Sequence, residues 1–309
     1  MLPLRIRDFI RDTDDWLYAV AAYDNSIAAG CILRYIPDKS GDRMDSAGCR
    51  YRKVGFEEAY HLVNEQKPEY SGLVHRVPLS DIAEALKPDE KIGTLKNSDE
   101  RIARLSRIFA LPEGAFGVTG SMLCGIAGPE SDIDGVVYGR WFSHAQKCLQ
   151  EGIVSGLIED LGDSLWKAVY KKRSPELGYE EFLIHEQRKW NRGQIDGTYF
   201  DLLYSRGYED LPGFVMLKGA VLRRDTIETM VTDDTFSFDS PAVYKVDHPV
   251  ISQVLSFTHT YTGQARNGER IEARGVVEQH GDEQWLIVGT TREAKDEYIR
   301  SLTLLEKEI

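Results

Sequence analysis

The stretch 116–139, FGVTGSMLCGIAGPESDIDGVVYG, decides how this chain is read. The apolar run AFGVT (115–119) reads as a short strand that ends at Gly120 and Ser121. A helical turn and the loop GPES follow, and the chain then enters a second strand-like run, DIDGVVYG. Asp132 and Asp134 stand at the mouth of that run, two positions apart, so they share one face while Ile133 points to the core. Two carboxylates so placed repel unless something positive lies between them, and a divalent cation meets that need. The Gly-Ser pair, between strand and helix, suits a phosphate: glycine lets it approach the backbone and a helix start offers N–H groups to it. A calcium loop does not fit, because no third oxygen donor precedes Gly135 and the chain runs straight into apolar residues.

Outward from this segment, a third carboxylate is expected on a neighbouring strand. GTYFDLLYSR (197–206) has strand character and sets Asp201 between apolar neighbours, with Asp196 as its rival. Gly120-Ser121, Gly125, Ser131-Asp132-Ile133-Asp134 and a distant strand Asp together resemble the nucleotidyltransferase superfamily that includes DNA polymerase β, and in particular its small stand-alone members. The whole chain is also similar to a group of largely uncharacterised archaeal proteins grouped with the predicted nucleotidyltransferases.

The resemblance implies a mixed sheet with helices packed on it and two Mg²⁺ (or Mn²⁺) ions held by Asp132 and Asp134. One ion would hold the triphosphate of an NTP such as ATP. The other, also touching Asp201, would lower the pKa of an attacking hydroxyl that displaces pyrophosphate from the α-phosphorus. Gly120 and Ser121 would hold the outer phosphates. The chain departs from the stand-alone members in two places. Met122, Leu123 and Cys124 follow Gly-Ser where basic residues are common, and Gly135 follows DID where a bulky aliphatic is usual, which loosens the strand or makes room for substrate.

The missing positive charge is sought in YKKRSPELGYEEFLIHEQRKWNRG (170–193), which offers Lys171, Lys172, Arg173, Arg188, Lys189 and Arg192. Arg173, Arg188 and Arg192 are the nucleotide-binding candidates. If YEEFLIHEQRKWN is helical, Arg188 and Arg192 share a face; the alternative is a solvated basic helix face.

A net charge of −12 argues against extended nucleic-acid binding. The four cysteines, Cys31, Cys49, Cys124 and Cys148, form no CxxC pair, so free thiols in a reducing compartment are expected. Neither a signal peptide nor an apolar run of membrane-spanning length is seen, so a cytoplasmic protein without a membrane partner is the expectation. His248 and His259 lack companions at metal spacing. FTHTYTGQARNG (257–268) is open between a half-exposed strand and a surface for RNA or a base.

The expected fold class is α/β (α+β) in three segments. Residues 1–95 form a mixed region: an opening helix, two strands around the turn in WLYAVAAYDNSIAAGCILRYIPD, a Gly-rich loop with an exposed basic end (GCRYRKVG), a helix over FEEAYHLVNEQKP, then an extended run and a helix starting at Ser80-Asp81. Residues 96–235 form the central mixed-sheet nucleotidyltransferase domain, opened by a helix over SDERIARLSRIFAL. Its N-cap is Ser98 or Asn97, and Ile102, Leu105, Ile108 and Phe109 share one face. Residues 236–309 form a small β-rich domain closed by a helix over REAKDEYIRSLTLLEKEI. The functional expectation is transfer of a nucleoside monophosphate from an NTP to an acceptor, whether protein, small molecule or RNA end. The alternative is a non-catalytic nucleotide- or RNA-binding sensor or scaffold of the same fold.

Overall fold

Asp12 shapes the start of the chain: its carboxylate accepts hydrogen bonds from the backbone N–H of Asp14 (3.0 Å) and Trp16 (2.9 Å) and turns the chain back on itself. Such a side-chain-held turn competes with helix. The expected opening helix is therefore a hairpin of β1 (Phe9–Asp12) and β2 (Leu17–Val20). The structure is a computed structural model and describes residues 3–72, 74–211, 218–290 and 294–308.

The strand pair expected around the Asp-Asn-Ser turn is β2 with β3 (Ala28–Pro37); Asn25 holds the turn, its side-chain amide donating to Ala22 O and its carbonyl accepting from Gly30 N. The expected basic loop is a short hairpin, β4 (Arg43–Met44) and β5 (Arg50–Lys53), with Tyr51 buried and Arg52 paired to Glu58. Helix α1 (Phe56–Gln66) lies where expected and buries Ala59 and Val63. Strand β6 (His75–Pro78) joins β3. No α-helix starts at Ser80: Asp81 accepts from Tyr70 Oη and Ser80 Oγ rather than from backbone, and Ile82–Leu86 forms β7 against β1. The sheet runs β4-β5-β3-β2-β1-β7, antiparallel throughout, with β6 on β3.

Helix α2 (Pro88–Ser98) starts with Pro at its first position, where the missing N–H costs nothing. It takes up Asn97 and Ser98, so the N-cap of α3 (Glu100–Phe109) is Asp99, whose side chain accepts from Arg101 N. Ile102, Leu105 and Phe109 are buried as their spacing predicts, and Ile108 at the edge of the stripe is half-buried. The motif segment forms β8 (Phe116–Val118), the four-residue α4 (Gly120–Leu123) and β9 (Ile133–Tyr138), followed by α5 (Trp141–Val154). Strands β10 (Arg192–Ile195) and β11 (Thr198–Ser205) complete a mixed sheet, β10-β11-β9-β8, in which β9 and β11 are parallel.

The compact units cut the chain differently from the three expected segments. One holds residues 1–160 and 191–215, so the N-terminal sheet and the motif sheet belong together. Their shared core includes Phe9, Leu17, Tyr35, Leu123, Cys124 and Ile126. The other unit holds 161–190 and 216–309. It contains α6 (Asp163–Arg173), α7 (Tyr179–Gln187) and the strands β12 (Ala220–Asp233), β13 (Ala242–Asp247), β14 (Ile251–Ser256), β15 (Arg270–His280), β16 (Glu283–Val288) and β17 (Tyr298–Ser301). The order β12-β13-β14-β16-β15 closes through β12–β15 pairing, and β17 adds to β15. Closure leaves few open edges.

The expected closing helix is mostly not helical. Its residues 292, 293 and 309 lie outside the described residues, Tyr298–Ser301 pairs with β15, and only α8 (Leu302–Glu308) remains. Among the described residues no helix is long and apolar enough to cross a membrane. All four cysteines are free thiols.

Candidate functional site

The parallel register of β9 and β11 sets Asp201 directly beside Asp134. In a parallel pair neighbouring side chains point to the same face, so two carboxylates from distant parts of the sequence are brought side by side. Asp132 is exposed and just ahead of β9. Thr119, after β8, ties this edge down: its N–H donates to Asp134 O at 2.9 Å and its hydroxyl to Arg7 O at 2.6 Å.

Gly120 follows with φ +70°, and a Cβ there would lie 2.7 Å from Asp134 Oδ2. A residue with a side chain would thus both strain the turn and push the carboxyl away. Burial first, then the charge of Asp201, raises the Asp134 carboxyl to about 6; Asp132 adds to the rise, and Arg7 and Arg34 oppose it. Asp134's carboxyl makes no hydrogen bond or ion pair among the described residues. This is the chemistry of a donor set short of positive charge, and a hard divalent cation suits it.

Asp201 is in a different state. Arg192, its cross-strand partner on β10, donates Nε–H to Oδ1 at 2.8 Å, and Tyr199 donates its hydroxyl to the same oxygen at 2.9 Å. A guanidinium thus holds the oxygen that a second cation would claim. Among the described residues no group of three or more His, Cys, Asp or Glu side chains is gathered to hold a metal. The fit to a cation therefore lies with Asp132 and Asp134, and Asp201 reaches it only by sharing itself with Arg192.

Helix α4 is a single turn, too short for the phosphate-facing helix start that the sequence suggested. The Ser121 hydroxyl lies 3.4 Å from Ser131 Oγ, which accepts from Gly128 N, so these serines close the loop. Met122, Leu123 and Cys124 are apolar because they are buried, the last two against the N-terminal sheet. Gly135 makes no room for substrate: a Cβ there would meet Leu202 Cδ2 and Phe116 Cε2, each at 3.2 Å, so the space is already filled.

The basic candidates separate. Arg192 does not share a helix face with Arg188, because α7 ends at Gln187 and Arg192 is in β10. Arg188 belongs to the other compact unit, where it forms a two-pronged ion pair with Glu269, 2.6 and 2.9 Å. Arg173, at the end of α6, belongs to that unit too, and so does Lys189, buried and paired with Glu186. Lys171 and Lys172 are exposed. Asp196 is not a ligand rival: it lies in the β10–β11 turn and pairs with Arg104 at 2.6 Å. His248 Nδ1 accepts from Val250 N and Ile251 N, a turn role. In 257–268 the structure has a short 3-10 turn, His259–Tyr261, rather than a half-exposed strand.

Sequence reading missed Arg7 and Arg34, the cations that act on Asp134. They lie about a hundred positions upstream, in a segment with no recognisable motif.

Sheets and helices in these two units make this an α+β protein with a carboxylate pair at adjacent parallel strands. The chain is 34% identical to the Uncharacterized protein MJ1086 of the archaeon Methanocaldococcus jannaschii, over 97% of this chain and 99% of that one, and it belongs to the same family. No family model matches the chain. No solved structure matches it.

Proposed function

We propose that this chain is a metal-dependent nucleotidyltransferase of the DNA polymerase β-like class, moving a nucleoside monophosphate from an NTP to an acceptor. The observation that carries the reading is the register Asp201↔Asp134 beside the left-handed Gly120 turn, with the Asp134 carboxyl raised by burial and by the charge of Asp201. Asp132 and Asp134 would hold Mg²⁺ or Mn²⁺, which when bound polarises phosphoryl oxygens and acidifies a coordinated hydroxyl. Thr119 and Gly120 keep the Asp134 carboxyl in place, and Arg192 with Tyr199 fixes the orientation of Asp201. The acceptor oxygen would bond to the α-phosphorus as the bond to the β-phosphate oxygen breaks, releasing pyrophosphate. Free thiols throughout fit a cytoplasmic setting.

A non-catalytic nucleotide or RNA sensor is the second reading, favoured by the hold of Arg192 on Asp201. Incubation with each α-labelled NTP, Mg²⁺ or Mn²⁺ and cell extract separates the two. Label transferred by wild type and abolished in Asp132→Ala/Asp134→Ala supports the enzyme. Metal-nucleotide binding without transfer supports the sensor, and neither transfer nor binding sinks both.

A further inference from the structure

The candidate site needs positive charge for a triphosphate, and the loop after Gly-Ser supplies none. Two arginines of the N-terminal segment are brought to the motif segment instead: the carbonyl of Arg7, just ahead of β1, accepts from Thr119, and Arg34 adjoins Tyr35, which shares a core with Leu123, Cys124 and Ile126; each stands at an irregularity of the backbone. Both oppose the rise of the Asp134 carboxyl.

Arg34 is the extra residue of a β-bulge. Leu17 pairs with Tyr35 and Tyr18 with Leu33, so Arg34 is skipped in the ladder. Bulges re-aim side chains and are common beside active sites. Here the bulge switches the face of β3: Leu33 packs in the core under α1, whereas Tyr35 packs with Leu123, Cys124 and Ile126 of the motif loop. Arg43 Nη1 reaches Ile126 O at 3.5 Å and holds that loop to the sheet. Arg34 is part-exposed, and its guanidinium makes no ion pair or hydrogen bond among the described residues.

Arg7 has φ +83°, uncommon for any residue but glycine. The turn is over-determined: Asp8 N donates to Arg5 O, Arg5 N donates to Asp8 Oδ2, and Lys87 Nζ donates to Asp8 Oδ2. Arg5 itself is clamped between the rings of Tyr138 and Tyr208, 3.7 and 3.9 Å from their centroids. Thr119 joins the Arg7 carbonyl to the Asp134 strand. Strain kept in place by this many bonds is what functional positions store.

Asp134 and Arg34 are thus opposite charges that feel each other without a direct bond. A ligand carrying both signs, a cation on a polyphosphate, would satisfy both. We propose that Arg34 and Arg7 are the polyphosphate clamp of this site, gripping the outer phosphates of a metal-bound nucleoside triphosphate. The assignment rests on the nucleotidyltransferase reading and names the part of the substrate those residues read. Arginine suits the task because its planar fork matches phosphate oxygens.

The test is calorimetric binding of AMP, ADP and ATP, each with Mn²⁺, to wild type, Arg34→Met, Arg34→Lys, Arg7→Gly and the distant control Arg107→Met. Glycine at 7 keeps the left-handed backbone while removing the charge, and thermal melts report folding. Wild type should bind more tightly with each added phosphate. Arg34→Met and Arg7→Gly should weaken ATP roughly ten-fold or more while AMP changes by less than about two-fold. Arg34→Lys should recover part of the loss, and Arg107→Met should match wild type. If folded Arg34→Met and Arg7→Gly keep the phosphate gradient, the clamp is overturned and the nucleotide reading stands. If wild type binds none of the three nucleotides, both fall.

Discussion

At Gly120, a single methyl group would reach Asp134 Oδ2 at 2.7 Å in a backbone already at φ +70°. Gly120→Ala is expected to cost about 1–2 kcal/mol of stability. It should weaken Mn²⁺ binding, read by electron paramagnetic resonance, because the carboxyl must move. Asp134 itself should trade stability for function. Its folded carboxyl is raised to about 6 from 3.8, so in the metal-free protein its charge opposes folding above pH 6 and not below 3.8. Asp134→Asn should then raise stability by on the order of 2 kcal/mol at pH 7.5 in EDTA, a gain that fades as pH falls toward 4. A stability loss at pH 7.5 would contradict that account. Nucleotide transfer, if present in wild type, should vanish in the same variant.

Among elements, the β10–β11 hairpin carries a buried cross-strand ion pair, Arg192 with Asp201, whose side chains are 4% and 14% exposed. Removing one partner strands the other charge, so Arg192→Ala should destabilise by about 3 kcal/mol in urea melts. The double variant Arg192→Met/Asp201→Asn should recover much of that. Helix α3 is held by its apolar stripe: Leu105 is 1% exposed, and Leu105→Ala should cost about 2–5 kcal/mol. The stripe was legible in the sequence because its spacing repeats within one element. The bulge at Arg34 was not, because a skipped residue depends on which strand lies alongside.

Across the whole molecule, each unit contains a histidine buried in its neutral form. His75 packs edge-on to Tyr60, its ring nitrogens without partners among the described residues, and burial lowers it to about 4. His185 donates Nδ1–H to Glu181 O and accepts from Ser301 N at Nε2, and burial likewise lowers it to about 4. Between the unfolded value of 6.5 and about 4, the unfolded chain binds more protons than the folded one. Stability should therefore fall on acidification through that window, by about 1.4 kcal/mol per pH unit for each histidine. Urea midpoints from pH 7 to 5 in the Asp134→Asn background, which removes the opposing titration of that carboxyl, check this, and adding His75→Phe should flatten the dependence of the first unit alone. A flat profile in the Asp134→Asn background would refute it.

What the sequence determined by itself was local or periodic: the DID strand, the Gly-Ser turn, the stripe of α3, α1, and strand character at Asp201. Those depend on neighbours a few positions away. Where patterns conflicted, local reading lost: Asp12 made a hairpin of an expected helix, and pairing with β15 took Tyr298–Ser301 from the expected terminal helix. Only the tertiary structure decided that Asp201 stands beside Asp134 and pairs with Arg192, that residues 161–190 join the C-terminal unit, and that Arg7 and Arg34 act on the site. The reason is physical. Strand register, bulges and the charge felt by a buried carboxyl are set by groups far apart in the chain, and no pattern within a short window carries them.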